Sequence, residues 1–242
     1  MAESVYQRVL LKLSGTALAD ESGLGVSPTM AKMLAEQIVE AHSLGVQLGV
    51  VIGAGNIWRG REAENNGMDR STADYIGMLA TVMNSLALQE AIESLGCDSR
   101  VQSAIEMREV AEPYIRRRAI KHLSANRIVI FGAGSGNPYF TTDTAGALRA
   151  MEIGADIYLK ATQVNGVFDK DPIKFVDATK FDRISYLDAL NLGVEVMDAT
   201  AFSLCMEHKM PICVFSLDEP NSLTNVLLGK KVGTMVDDNN VG

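Results

Sequence analysis

The sequence predicts an α/β protein built on a largely parallel sheet. Short apolar runs alternate with longer segments of helical period, the pattern of strands joined by crossover helices. Four of those runs end in glycines, hydroxyls, an asparagine or lysines, the residues that hold phosphates at the carboxyl edge of such a sheet. No repeat, low-complexity stretch or Pro-rich linker divides the 242 residues, so a single domain over residues 1–242 is expected.

The elements follow in order. Residues 9–13 form a first buried strand that runs into Lys12-Leu13-Ser14-Gly15. The amphipathic segment 29–43 supplies a crossover, long enough to return the chain for a parallel partner. Residues 46–52 are a second apolar run, ending in Gly53-Ala54-Gly55-Asn56, and residues 71–94 read as a long helix. Arg116, Arg117, Arg118 and Lys121 lie on another helix, a basic run that suits a solvated face. Residues 127–131 make the third strand, and the loop Gly134 to Asp143 leads into a helix over 141–153. A fourth strand, 156–160, ends in Lys160-Ala161-Thr162; a helix over 200–208, a strand over 212–215 and a helix over 222–228 complete the series.

Composition narrows the function. Thirty acidic against 22 basic residues give a net charge of −8 and a pI near 5.0, which argues against a nucleic-acid partner. No run of 18 apolar residues suits a membrane, and the start, Met1 to Arg8, has no apolar core of an export signal. Cys97, Cys205 and Cys213 form an odd set without metal spacing, as expected of free thiols in a reducing, cytoplasmic setting. His42, His122 and His208 are scattered, so no zinc site is expected. The twelve methionines, Met78 and Met83 among them, suit a core or a subunit contact.

The loop from Gly134 to Asp143 is the most informative segment. Small residues let bare N–H groups approach an anion, and Thr141-Thr142 follows where a helix begins. A phosphate site needs such donors and a few cations, each charge-assisted hydrogen bond being worth about 1.5–3 kcal/mol. Two glycine-rich strand ends with Lys12 and Lys160 meet that need. The P-loop pattern G-x-x-x-x-G-K-[ST] is absent, and the dinucleotide fingerprint lacks its third glycine, Trp58 standing there instead.

Taken together, Leu11 to Gly15, Val50 to Asn56 with Arg59-Gly60, Asp74 to Asn84, Gly134 to Asp143, Leu159 to Thr162, Asn165 to Phe168 with Asp171-Pro172, and Val196-Met197-Asp198 resemble the bacterial uridylate (UMP) kinases of the amino acid kinase superfamily. The likeness covers nearly the whole chain. It implies a three-layer αβα sandwich, assembly as a homohexamer, and transfer of the γ-phosphoryl of ATP, carried with Mg2+, to UMP in pyrimidine nucleotide synthesis. The resemblance implies catalytic roles for Lys12, Lys160 and Asp143. It places ATP on Lys12, Leu13, Ser14, Gly15, Gly55, Arg59, Thr162, Phe168 and Asp171. UMP falls on Gly53, Ala54, Asp74, Ser135, Gly136, Asn137, Pro138, Tyr139, Phe140, Thr141 and Thr142. Asp20, Glu21, Ser22, Gly23, Leu24 and Gly25 match a loop implicated in GTP activation, and UTP inhibition is a family expectation without its own signature. No protein ligand to the metal is assigned.

Physical chemistry leaves some of these residues two readings. Lys12 and Lys160 suit neutralisation of a migrating phosphoryl, and Asp143 suits an organiser of the lysines or metal as well as a first-turn acid on the helix dipole. Asp74 suits a ribose diol or a surface helix acid; Thr141 and Thr142 suit phosphate contacts or helix caps. Phe168 suits a purine face or the core, and Asp171, before Pro172, an exposed contact or a turn. Two departures from the family pattern stand out. Thr16 replaces a glutamate, and Ala54 replaces a glycine, tolerable only with negative φ. The rival readings are an amino acid kinase acting on a carboxylate or carbamate, and a nucleotide sensor without turnover.

Overall fold

Burial on both faces explains why the central strands read as unbroken apolar runs. In the computed structural model, which describes residues 3–194 and 196–238, these runs lie in the middle of one sheet; Met1, Ala2, Glu195 and residues 239–242, also spanned by the single-domain expectation, lie outside the described residues. The elements are β1 (Arg8–Leu13), α1 (Pro28–His42), β2 (Gln47–Ile52), α2 (Gly60–Asn65), α3 (Arg70–Ser94), β3 (Ser99–Ser103), β4 (Glu112–Pro113) and α4 (Arg116–Ser124). They continue with β5 (Ile128–Gly132), α5 (Thr142–Ile153), β6 (Ile157–Thr162), β7 (Arg183–Ile184), α6 (Tyr186–Leu192), α7 (Ala199–Glu207), β8 (Ile212–Ser216), α8 (Ser222–Leu227) and β9 (Thr234–Val236).

The strand order is β4-β3-β5-β2-β1-β6-β8-β9-β7. Every pairing is parallel except β8 with β9. Period-2 alternation sorts β1 between two cores. Val9, Leu11 and Leu13 face the cluster built with α1, α3 and α8, while Leu10 joins Tyr158 of β6 in the cluster built with α4, α5 and α7. Helices therefore cover both faces, the three-layer αβα sandwich that the resemblance to the UMP kinases implies.

The chain lays β2 on one side of β1 and later returns to place β6 on the other. This is a topological switch point, where the connections diverge and leave a crevice beyond the carboxyl ends of the strands. β1 and β6 meet there in register, with Lys12 opposite Lys160. Both lysines occupy the same face as Leu10 and Tyr158, two residues further along their strands.

α5 completes this edge. Thr141 caps it by accepting hydrogen bonds from the N–H groups of Asp143 and Thr144, and Gly154 ends it at φ 66°. Ala145, Gly146, Ala147 and Ala150 are buried against the sheet, and this small-residue face lets the helix lie close enough to bring its first turn over the crevice. A Cβ on Gly146 would stand 2.7 Å from the Tyr158 hydroxyl.

Candidate active site

Two ammonium groups on neighbouring parallel strands repel one another unless an anion lies between them. Asp143, in the first turn of α5, is that anion. Lys12 Nζ lies 2.7 Å from Asp143 Oδ1, and Lys160 Nζ donates to Oδ2 at 2.7 Å. Lys160 also donates to the Val196 carbonyl at 2.6 Å, which leaves one of its three donors for a ligand. Burial opposes ionisation of Asp143, yet the nearby ammonium groups, Lys12 ahead of Lys160, outweigh it and hold the carboxyl below its usual range. For Lys160, burial and the charge of Lys12 pull the ammonium below its usual value, against the support of Asp143.

These three residues face a cleft of about 470 Å3 lined also by Thr141, Thr142, Thr162, Gly166 and Asp198. A second cleft of about 280 Å3 adjoins it, lined by Ala54, Gly55, Trp58, Arg70, Asp74, Ser135, Asn137, Phe140 and again Thr141 and Thr142. The shared threonines at the amino end of α5 stand between the two spaces. Helix dipole and unpaired N–H groups make that end favourable to anions.

The glycine-rich strand ends work as a pair. A Cβ on Gly15 would fall 2.4 Å from Asn56 Oδ1 and 2.5 Å from the Gly53 carbonyl oxygen, so only glycine lets these two loops touch. Buried amides fix the second loop. Asn84 Nδ2 donates to the Gly53 carbonyl at 2.7 Å and to Asn56 Oδ1 at 2.8 Å, and Asn56 Nδ2 donates to the Gly25 carbonyl at 2.6 Å. The N–H groups of Ala54 and Gly55 have no protein acceptor among the described residues, leaving two donors at the crevice. Ala54 is absent from the residues with positive φ, so its Cβ is accommodated as the sequence requires.

Most of the residues expected to hold UMP come together: Ala54, Asp74, Ser135, Asn137, Phe140, Thr141 and Thr142 line the second cleft. Gly53 lies behind, a Cβ there being 3.5 Å from Thr142 Oγ1. Gly136 packs on Ala104 at φ 81°. Pro138 and Tyr139 stand outside the lining, although the Tyr139 N–H donates to Asp74 Oδ2 at 2.8 Å.

The ATP set is more dispersed. Lys12 and Thr162 line the first cleft, while the Leu13 side chain is fully buried in the core and can offer only its main chain. Ser14 is held by Thr16, hydroxyl to hydroxyl at 2.7 Å, so the residue replacing the family glutamate braces the turn that contains Gly15. Arg59 is not in either cleft; it pairs with Glu62 at 3.2 Å beside Leu24, Ile57 and Trp58. Phe168, whose main chain bridges to Lys180, and Asp171, paired with Lys174 at 3.2 Å, also lie outside the lining.

The loop from Asp20 to Gly25 is exposed but anchored at its end: the Gly25 N–H donates to the Asn56 carbonyl at 2.7 Å. Asp20 is kept below its usual carboxyl value by the Ser22 hydroxyl and N–H.

Four residues carry parts of the site beyond those expected to bind ATP or UMP or to catalyse transfer. Arg70 joins the second cleft as its cation. Asp198 caps α7 and accepts hydroxyl hydrogen bonds from Thr141 at 2.5 Å and Thr144 at 3.0 Å, tying α7 to α5. Asn56 and Asn84 form the buried bridge. Asn84 had a readable signal, an amide on the apolar side of a helix; Arg70 had none beyond its place in a first turn.

The model for the amino acid kinase family matches residues 7–216. Among solved structures the chain is similar to the UMP kinase of Bacillus anthracis, at 42% identity over 97% of each chain with a TM-score of 0.94. It is similar to the UMP kinase of Ureaplasma parvum at 37% identity, covering 98% of this chain and 100% of that one, with a TM-score of 0.91. The uridylate kinase of Archaeoglobus fulgidus matches at 28% identity, 94% of this chain and 99% of that one, with a TM-score of 0.70.

Proposed function

The chain belongs to the amino acid kinase family, and we propose that it is a UMP kinase that transfers the γ-phosphoryl group of ATP to UMP, giving ADP and UDP for pyrimidine nucleotide synthesis. The observation that carries this reading is the Lys12–Asp143–Lys160 array at the switch point, opening through Thr141 and Thr142 onto a second cleft with its own carboxylate, Asp74. One cleft holds a donor and the other an acceptor, with the cations at the junction.

An oxygen of the UMP phosphate attacks the γ-phosphorus while the bond to the β,γ-bridging oxygen breaks, and the electron pair leaves on ADP. The acceptor is already ionised at neutral pH, so no base is needed; the protein's task is alignment and charge stabilisation. Lys12 and Lys160 stabilise the equatorial oxygens of the migrating group. Asp143 holds the two ammonium groups aimed at the same point. The N–H groups of Ala54 and Gly55 and the amino end of α5 receive the UMP phosphate. Asp74 accepts from the ribose hydroxyls, and Ser135, Asn137 and Phe140 bound the uracil end.

No group of three metal-ligating side chains occurs among the described residues, and the carboxylates of the donor cleft, Asp143 and Asp198, are already engaged. That donor set fits a magnesium ion carried mainly by ATP oxygens and water; when bound it adds neutralising charge to the phosphates. Leu13, Ser14 and Gly15 offer main-chain contacts to ATP, and Arg59, Phe168 and Asp171 would have to approach it as the donor cleft fills; Gly55, expected with ATP, lines the acceptor cleft instead.

Assembly as a homohexamer is supported by an exposed apolar stripe on α3, Tyr75, Leu79 and Met83, each 45–56% exposed at helical spacing. GTP activation through the loop from Asp20 to Gly25 is supported by its link through Asn56 and Asn84 to Gly53; UTP, sharing the uridine end of UMP, would inhibit by occupying the acceptor cleft. Three free cysteines support a reducing, cytoplasmic setting, and one continuous nine-stranded sheet supports a single domain; among the described residues no helix is long and apolar enough to cross a membrane.

A coupled assay of ADP release with UMP, CMP and acetylglutamate as acceptors tests the reading. UMP is expected to be the preferred acceptor; phosphorylation of acetylglutamate alone would refute it.

A further inference from the structure

Asp74 has two oxygens in unequal settings. Oδ2 accepts from Arg70 Nε at 2.8 Å and from the Tyr139 N–H at 2.8 Å. Oδ1 has no protein donor among the described residues and faces Gly60 at the wall of the acceptor cleft, 3.3 Å from where a Cβ would stand. Rotation of the carboxylate would exchange the two oxygens and break both bonds. Arg70 is itself clamped: its Nη1 lies 2.8 Å from Glu64 Oε2, and its guanidinium carbon is 6.0 Å from the centre of the Tyr139 ring. Tyr139 adopts φ 71°, a conformation that a residue with a side chain holds only when its surroundings over-determine it, and its hydroxyl is 3.1 Å from Ser71 Oγ. Arg70 thus joins α2, α3 and the acceptor loop at one carboxylate.

We propose that Arg70 is a positioning residue that fixes Asp74 with a single free oxygen toward the acceptor, and that this fixed oxygen makes the site select a ribonucleotide over its 2′-deoxy counterpart. The inference rests on the reading of the second cleft as the UMP site. One carboxylate oxygen has lone pairs for two donors, and two adjacent ribose hydroxyls present two donors from one direction. A carboxylate locked in place meets both at once. One free to turn meets them in many poses and loses less when one hydroxyl is missing.

The test compares UMP and 2′-deoxy-UMP as acceptors in the wild type, Arg70→Gln and Arg70→Lys, each checked by circular dichroism. The wild type is expected to prefer UMP by tenfold or more in kcat/KM. Arg70→Gln should raise KM for UMP about tenfold, leave KM for ATP and the kcat for UMP within about threefold, and bring the preference close to unity. Arg70→Lys, which keeps a cation near Asp74 without the fork that spans Glu64, should fall between, and it carries the test if the glutamine variant does not fold. An unchanged UMP preference in an active Arg70 variant overturns this inference and leaves the UMP kinase reading intact. A wild type that phosphorylates neither nucleotide overturns both.

Discussion

At Asp143 burial and charge pull in opposite directions, and charge wins because two ammonium groups flank a single carboxylate. Its folded value lies below the unfolded one, near 3.9 for a free aspartate, so the stabilisation it gives is complete above that value and is lost as pH falls through the folded one. The difference in unfolding free energy between the wild type and Asp143→Asn should therefore be constant from neutral pH to about pH 4 and shrink below it, measured by urea unfolding across that range. Lys12→Ala should fold and lose at least about 100-fold in kcat, the scale of one preorganised electrostatic contact; steady-state kinetics at saturating UMP and ATP decide it, and near-normal turnover would remove Lys12 from its role. Lys12 was legible because a lysine near the end of an apolar run, just before a Ser-Gly turn, has few structural uses. Arg70 was not, because a first-turn arginine looks the same whether it meets solvent or clamps a carboxylate 2.8 Å away.

Among the elements, α5 does most to position the chemistry, since its first turn carries Asp143 and its face of small residues sets how closely it lies on β1 and β6. Gly146→Ala should push that face off Tyr158. Overpacking of this kind costs about 1–3 kcal/mol, a fall in melting temperature of roughly 2–4 °C for each kcal/mol in a chain of this size. Its kcat should fall too, because the displaced first turn takes Asp143 with it. The five central strands were readable from their unbroken apolar runs to within a residue or two. β4 and β7 have two residues each and β9 has three, too few for any period, while β3, Ser-Arg-Val-Gln-Ser, is too polar to stand out. The short helices α2 and α6 span less than two turns and escaped for the same reason.

Over the whole molecule, a chain of net charge −8 gathers two lysines and an arginine along one rim of its sheet, where polyphosphates must arrive against the general field. The sequence showed that convergence, because four strand ends with anion-binding residues must share an edge if their strands are parallel. It did not show that two clefts meet at Thr141 and Thr142, which depends on how far α5 overhangs the crevice. Introducing charge into the α3 stripe by Leu79→Glu should lower the assembly mass in sedimentation velocity while leaving the far-ultraviolet spectrum of the folded chain in place; an unchanged mass would move the subunit contact elsewhere. Donor and acceptor phosphates should meet between Lys12 and Lys160. A crystal structure with UMP and a non-hydrolysable ATP analogue tests it most directly. The γ-phosphate is expected in contact with both ammonium groups and the UMP phosphate beside Ala54, Gly55 and the amino end of α5. A uridine phosphate bound away from that junction, or an ATP analogue whose γ-phosphate touches neither lysine, would contradict it.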